Sequence, residues 1–346
     1  MRLPLSPTMQ KTELRLDPLT DAWTIFSEGR GARPIYGSVR KEAQEWPLPD
    51  PFVAGREHYA AHSLHAAVDD CGSWSVRVTP NRAPVLRIEG DATRHAEGFY
   101  DRMDGVGAHE VIIETPGHHA FEDLALGEIE QVISAWKIRM LDLMRDPRMR
   151  SFSVVKNVGR GAGGLTNHAV SQLLGMAIVH PHLKRKLQIA RRFYEVKKRA
   201  IFEDILCGEV RSGARLVYEN NGFTVFCPYA SRSPFEMAVF PKRQCADFHG
   251  LTDQESAQLA DVFRTVLRKL GVALGHPPYN LLLFTAPTRT ERRDHWTSIE
   301  RDFRWHVEIL PRLQPAGGIE FATGCAVNSV WPEAAANHLR GIATGD

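Results

Sequence analysis

An α+β fold built from two copies of one unit is what this 346-residue sequence predicts. Three observations carry the prediction. First, two helical segments share a pattern: "FEDLALGEIEQVISAWKIRMLDL" from Phe121 and "FHGLTDQESAQLADVFRTVLRKL" from Phe248 both place Leu three residues after Phe (Leu124, Leu251) and Glu seven after (Glu128, Glu255). Second, a short β-rich run closed by proline precedes each helix, "HEVIIETP" ending at Pro116 and "FEMAVFP" ending at Pro241. Third, two more strand-like runs follow each helix. An internal repeat of this size reads as a duplicated supersecondary unit.

Each element has its own signal. The two helices carry apolar residues at helical spacing behind a turn-like start. "RSFSVVKNVG" and "HAVSQLLGMAIV" follow the first helix, and "YNLLLFTAP" and "RWHVEILPRL" follow the second. These runs are short and rich in apolar and β-branched residues, as strands are. Between the halves lies "HLKRKLQIARRFYEVKKR" (His182 to Arg199), whose basic residues read as the solvated face of a helix. The repeat divides the chain into an N-terminal unit, 1–182, and a C-terminal unit, 183–346.

Composition excludes several functions. With 43 basic and 41 acidic residues, net charge is +2, which gives no electrostatic footprint for nucleic acid or a membrane. No stretch approaches the ~20 apolar residues of a membrane span. The five cysteines (Cys71, Cys207, Cys227, Cys245, Cys325) are scattered, with no C-x-x-C pair. That pattern fits reduced thiols and predicts a cytoplasmic protein without a zinc knuckle.

Over nearly its whole length the chain resembles the galactose-1-phosphate uridylyltransferases, the two-repeat branch of the histidine-triad superfamily. The resemblance rests on ordered blocks: "LRLDPLTDAWTIFSEGRGARP", "WSVRVTPNRAPVL", "GAHEVIIETPGH", "KNVGRGAGGLTNHAVSQ", "NGFTVFCPYASRSPFEMAVFPKR" and "WHVEILPRL". It implies a duplicated histidine-triad-like fold, two half-barrels of antiparallel strands with flanking helices. It also implies a chemistry in which a strand histidine attacks the α-phosphate of a nucleotide sugar and holds the nucleotidyl group. Such a nucleophile must be a neutral, positioned imidazole, with donors around the phosphate.

Residue by residue, the cradle is kept. Asn157, Gly159, Gly163, Ser171 and Gln172 match family positions around the phosphates, Arg30 and Arg33 match a phosphate-binding arginine pair, and Asn81 falls in the base- and ribose-proximal segment. Glycine lets backbone approach phosphate closely, and guanidinium binds its oxygens in a fork. The machinery is not kept. The family's His-x-His-x-Gln reads His168-Ala169-Val170-Ser171-Gln172, so Val170 stands at the nucleophile position. The first metal knuckle reads Asp50-Pro51-Phe52-Val53, with His118 and His168 surviving as the other ligands, and the second aligns with Ala200-Ile201-Phe202-Glu203, where Arg304 also replaces a histidine. These replacements predict no bound metal and no cofactor. His180-Pro181-His182 spells the lost motif but lies downstream of the strand.

Two readings follow. In one, the chain is an enzyme that binds a nucleotide or phosphorylated metabolite and works without a covalent intermediate, with His168 and His306 as acid–base candidates. In the other it is a nucleotide-binding protein without turnover. Either is compatible with assembly as a homodimer.

Overall fold

The computed structural model describes residues 11–31, 50–68, 71–289 and 296–344. Fifteen strands and eight helices run through them. An N-terminal hairpin, β1 (Thr12–Leu16) and β2 (Trp23–Ser27), leads into a single turn, α1 (Glu28–Gly31). The first unit follows: β3 (His65–Val68), β4 (Trp74–Pro80), a hairpin of β5 (Arg94–Glu97) and β6 (Tyr100–Met103), β7 (Gly107–Ile113), α2 (Leu126–Leu143), β8 (Ser151–Val158) and β9 (Val170–Met176). Two helices, α3 (Pro181–Lys197) and α4 (Ile201–Ser212), connect to the second unit. That unit is β10 (Leu216–Glu219), β11 (Phe223–Phe226), β12 (Met237–Pro241), α5 (Asp253–Leu274), β13 (Tyr279–Phe284), α6 (Ile299–Asp302) and β14 (His306–Pro311). The chain closes with α7 (Gly318–Thr323), β15 (Ala326–Asn328) and α8 (Pro332–Gly341).

The two units join edge to edge in one ten-stranded sheet, ordered β10-β11-β12-β14-β13-β8-β9-β7-β4-β3, with every pair antiparallel. Read outward from its centre, the order on one side repeats the order on the other. The α+β class and the duplication follow the expectation, and each unit contributes five strands to this sheet. The proposed division at 182/183 falls in the first turn of α3. It separates the two strand sets, while one cluster of buried side chains runs through both units from Val76 to Leu339 and a second lies almost wholly in the C-terminal unit.

The repeated sequence pattern has a physical basis. Phe121, Leu124, Phe248 and Leu251 are all buried. The shared glutamates cap the helices. Glu128 accepts from Ala125 N (2.7 Å), and Glu255 accepts from Thr252 N (2.9 Å) while its own N–H donates to Thr252 Oγ1 (3.2 Å). Such caps satisfy N–H groups that have no partner inside the helix. α2 and α5 pack on each other and on one face of the sheet. There Trp136, fully buried, meets Phe121, Phe248 and Phe263 with ring centroids 6.1–6.5 Å away.

Side chains alternate along a strand. Val76, Val78, Ala108, Ile112, Val154 and Leu173 face the helices. Arg77, Thr79, His109, Val111, Val155, Asn157, Val170 and Gln172 therefore share the opposite face, on which α2 and α5 do not pack. A sheet with α2 and α5 on one face only leaves that second face for other work.

A shared core predicts shared unfolding. Urea denaturation should show one transition by fluorescence and by circular dichroism. Trp136→Ala should lower stability by about 3–5 kcal/mol without splitting that transition. Two separated transitions would mean that the units fold independently.

Candidate active site

The β8–β9 connection builds the cradle. Gly159 and Gly163 have φ of 76° and 82°, a region that suits glycine, and Gly164 N closes the loop onto Gly159 O (2.9 Å). Asn157 anchors the loop from β8. Its Oδ1 accepts from Asn280 Nδ2 (2.7 Å), and the same amide donates to Ala162 O (2.8 Å). Asn157 and Asn280 are paired across the β8–β13 seam at the centre of the sheet.

Gln172 lies on the open face of β9. Its Oε1 accepts from His109 Nε2 (2.7 Å). His109 Nδ1 in turn accepts the Val85 N–H (3.1 Å), which fixes the proton on Nε2. With the Gln172 carbonyl so engaged, its NH2 is the group left for a ligand. Asn81 borders the same imidazole: its N–H donates to His109 O (2.9 Å) and its Oδ1 accepts from Ala83 N (2.9 Å). Asn81, His109, His62 and Arg87 line a groove of about 720 Å³ at this end of the sheet. Sequence reasoning missed His109, because only the register of β7 against β9 reveals that it shares the face of Gln172.

Three other candidates are placed differently. Ser171 is fully buried on the helix side and accepts from Trp136 Nε1 (2.8 Å). Alternation turns it away from Gln172, so the expectation that it meets phosphate is corrected. Arg30 lies in α1, where Gly31 packs on Ser329 and Glu28 accepts from Trp331 Nε1. Those contacts lead to the C-terminal segment and not to Gln172. Arg33 lies outside the described residues.

Val170 occupies the open face two residues before Gln172 and offers no nucleophile. His182 is exposed on α3, while His180 caps that helix by accepting from Leu183 N (3.3 Å). Burial, followed by the nearby His182 and Lys186, lowers the His180 pKa to about 4. Neither histidine of this decoy sits in the cradle.

His168 is buried, and both its ring nitrogens face acceptors: Nε2 meets Thr115 O (2.6 Å) and Nδ1 meets Asp50 Oδ2 (2.9 Å). His118 Nδ1 lies 3.5 Å from the same oxygen. Asp50, His118 and His168 thus converge, with donor atoms all within 4.8 Å. Tetrahedral zinc bonds of ~2.0–2.2 Å would hold donors about 3.3–3.6 Å apart. The His168–Asp50 contact is at hydrogen-bond length, and Val53 supplies no fourth ligand. Asp50, His118 and His168 offer one carboxylate and two imidazoles, three donors of a tetrahedral set. At the position aligned with the second knuckle, Arg304 is fully buried. Its guanidinium donates to Glu203, Pro241 O (2.5 Å), Lys242 O (3.0 Å) and Gln244 Oε1 (3.1 Å). An organic cation with four partners ties these segments together.

The second unit repeats the geometry with other residues. Gln172 is opposite Val111 and Val155, and Glu308 is opposite Ala238 and Leu282, the residues 127 further on. Glu308 is therefore the counterpart of Gln172, His306 of Val170, and Arg304 of His168. His306 Nε2 accepts from Lys186 Nζ (2.6 Å) and its Nδ1–H donates to Arg304 O (3.0 Å). Burial first, then Lys186, pushes its pKa down to about 3. Glu308 is held well below the carboxylate range by Arg232 and Lys186, against the opposing effect of burial. His306 and Glu308 border a separate pocket of about 240 Å³ with Phe226, Tyr229, Arg232 and Phe240.

The sequence pattern of the galactose-1-phosphate uridyl transferase N-terminal domain matches residues 4–181. The chain belongs to that family. Among its relatives is ADP-glucose phosphorylase of Arabidopsis thaliana, 31% identical over 339 residues, with 96% of this chain and 93% of that one covered. Galactose-1-phosphate uridylyltransferase of Thermotoga maritima is 27% identical over 338 residues, covering 95% and 98%. In three dimensions the fold superposes on the crystal structure of the Arabidopsis ADP-glucose phosphorylase with bound ADP-glucose at a TM-score of 0.84, with 30% identity and 97% of this chain covered. A uridylyltransferase structure at 24% identity and a TM-score of 0.71 shares the fold. The family relation makes this a GalT-like protein of the nucleotide-sugar transferase and phosphorylase group. Among the described residues no helix is long and apolar enough to cross a membrane.

Two outcomes are expected from this geometry. Elemental analysis of purified protein should find well under one zinc per chain, whereas a stoichiometric, chelator-resistant metal would show that Asp50, His118 and His168 open to form a site. The second concerns acid stability. The unfolded chain protonates His306 below its ordinary value of 6.5, and the native state does so only near 3. Stability from this residue is full above pH 6.5 and falls with acidification, at a limiting ~1.4 kcal/mol per pH unit. His306→Gln keeps a polar acceptor for Lys186 without the titration. Between pH 7 and pH 5 it should lose about 1–2 kcal/mol less than the wild type in urea melts, and parallel losses would refute the assignment.

Proposed function

We propose that the open face of the N-terminal unit binds a nucleotide sugar and that any transfer there proceeds without a histidine-linked intermediate. One observation carries this reading. Gln172, with its carbonyl held by His109, presents an amide on the open face, while the strand position two residues earlier is Val170. Valine has no lone pair and cannot form a phosphoramidate. A phosphate-bearing acceptor would have to attack the α-phosphorus directly, expelling the sugar phosphate in one displacement. Gln172, Asn157, the Gly159–Gly163 loop and Asn81 hold the donor in this reading, with Arg30 and Arg33 as further phosphate ligands. ADP-glucose is the first donor to test, since a relative of 31% identity is an ADP-glucose phosphorylase.

Of the acid–base candidates, His306 belongs to the second unit. Its neighbour Glu308 stands three strands from Gln172, or about 14 Å at ordinary strand spacing. His168 is nearer, and with both nitrogens engaged its proposed role is to hold the 50–54 segment against β9. That same engagement, with Val170, favours the second reading, a nucleotide-binding protein without turnover.

Thermal shift with ADP-glucose, UDP-glucose and free nucleotides tests binding. A ligand at 100 times its Kd should stabilise the protein by about 2.7 kcal/mol. Products formed from ADP-glucose and inorganic phosphate separate enzyme from binder, and a stable nucleotidyl adduct in intact-mass spectra would overturn the one-step reading. Gln172→Ala should weaken the bound nucleotide sugar by roughly 1–3 kcal/mol, measured calorimetrically. Unchanged affinity would place the ligand elsewhere.

A further inference from the structure

β4 carries a feature that the cradle does not use. Arg77 is only 4% exposed, yet its Nε and Nη2 have no hydrogen-bond partner. Ser75 Oγ, two residues away in β4 where the strand bulges against β3, is also buried and unpartnered. Arg77 lies against Trp74, with Cζ 5.2 Å from the ring centroid. Glu57 is close enough to raise its pKa against the lowering effect of burial. That carboxylate is engaged elsewhere, accepting from Trp74 Nε1 (2.8 Å) and Gly55 N (3.0 Å).

A guanidinium has five donors and remains charged, so a buried one with free N–H groups is costly. Proteins keep such a group where an anion comes to it. The register shows where this one stands. Arg77 is opposite Ile113, and Ile113 is opposite Val170. Arg77 and Val170 thus share the open face across β7, about 10 Å apart at ordinary strand spacing. One guanidinium side chain and one phosphate fill that span. Between them stands Ile113 of β7, which is apolar, fully buried and offers no competing acceptor.

We propose that Arg77 and Ser75 form a phosphate subsite on the open face, across β7 from Gln172 and Val170. This rests on the nucleotide-sugar reading and extends it. In a direct displacement the acceptor, like the donor, brings a phosphate to this face. The shared chemistry is a phosphate group, supplied either by the donor's diphosphate or by a free acceptor phosphate.

Calorimetric titrations of wild type, Arg77→Met and Ser75→Ala with ADP-glucose, and separately with inorganic phosphate, test the subsite and its source. Wild-type binding of ADP-glucose establishes the underlying reading, and its failure with every nucleotide sugar defeats that reading whatever the variants do. A loss of tenfold or more for ADP-glucose in Arg77→Met assigns the subsite to the donor. A comparable loss for inorganic phosphate, with ADP-glucose unchanged, assigns it to the acceptor. Ser75→Ala should show a smaller loss for the same ligand. If both ligands bind Arg77→Met as they bind wild type, or if wild type binds neither, the subsite is wrong. Should Arg77→Met fail to fold, Arg77→Lys and Ser75→Ala decide. Lysine keeps the charge without the fork, so an intermediate loss supports the subsite and unchanged affinity in both overturns it.

Discussion

The pairing of β8 with β13 is the constraint on which the rest depends. It joins two five-stranded units through six consecutive residue pairs, from Tyr279 opposite Val158 to Phe284 opposite Ser153. The units share the core under α2 and α5, because these helices cover the seam together and their aromatic rings interleave. A one-residue slip would exchange the two faces of a unit and put Gln172 into the core. Asn157 and Asn280 lie within that seam, and the amide of Asn280 holds both Asn157 and the Ala162 carbonyl. The geometry of the candidate phosphate loop is therefore set by the contact between the units.

Duplication also lets each unit be read against the other. At equivalent places stand Val170 and His306, Gln172 and Glu308, His168 and Arg304. In one unit the strand offers an amide and an aliphatic side chain to an open face. In the other it offers a neutral imidazole and a carboxylate, both enclosed by Lys186 and Arg232. Lys186 comes from α3, where the basic stretch was read as a solvated face. Most of its charges are solvated, and this one is buried.

The residues at the aligned metal knuckles are connected by other means. Arg304 ties Glu203 of α4 to the carbonyls at 241 and 242, and the Asp50–His168–Thr115 chain ties the 50–54 segment to the end of β9. Both use charge-assisted hydrogen bonds, which are short and directional. Each keeps strand ends in place beside an open face.

By itself the sequence determined the class and the duplication, and it proposed the outline of the cradle. Those depend on local signals: helix period, capping glutamates, proline-closed strands, and a glycine loop with Gln172 at a fixed distance behind it. The valine two residues before Gln172 was equally legible, and it is the ground of the one-step proposal. Only the tertiary structure decided which residues face the ligand side. Ser171 and Gln172 are neighbours in sequence, but the pleat sends one to Trp136 and the other to His109. His109 and Arg77 join the face through strand register, a long-range property that no local pattern encodes. The same holds for His168, whose partners Asp50 and Thr115 lie 118 and 53 residues away, so that the contacts of both its ring nitrogens are ones the chain makes only when folded.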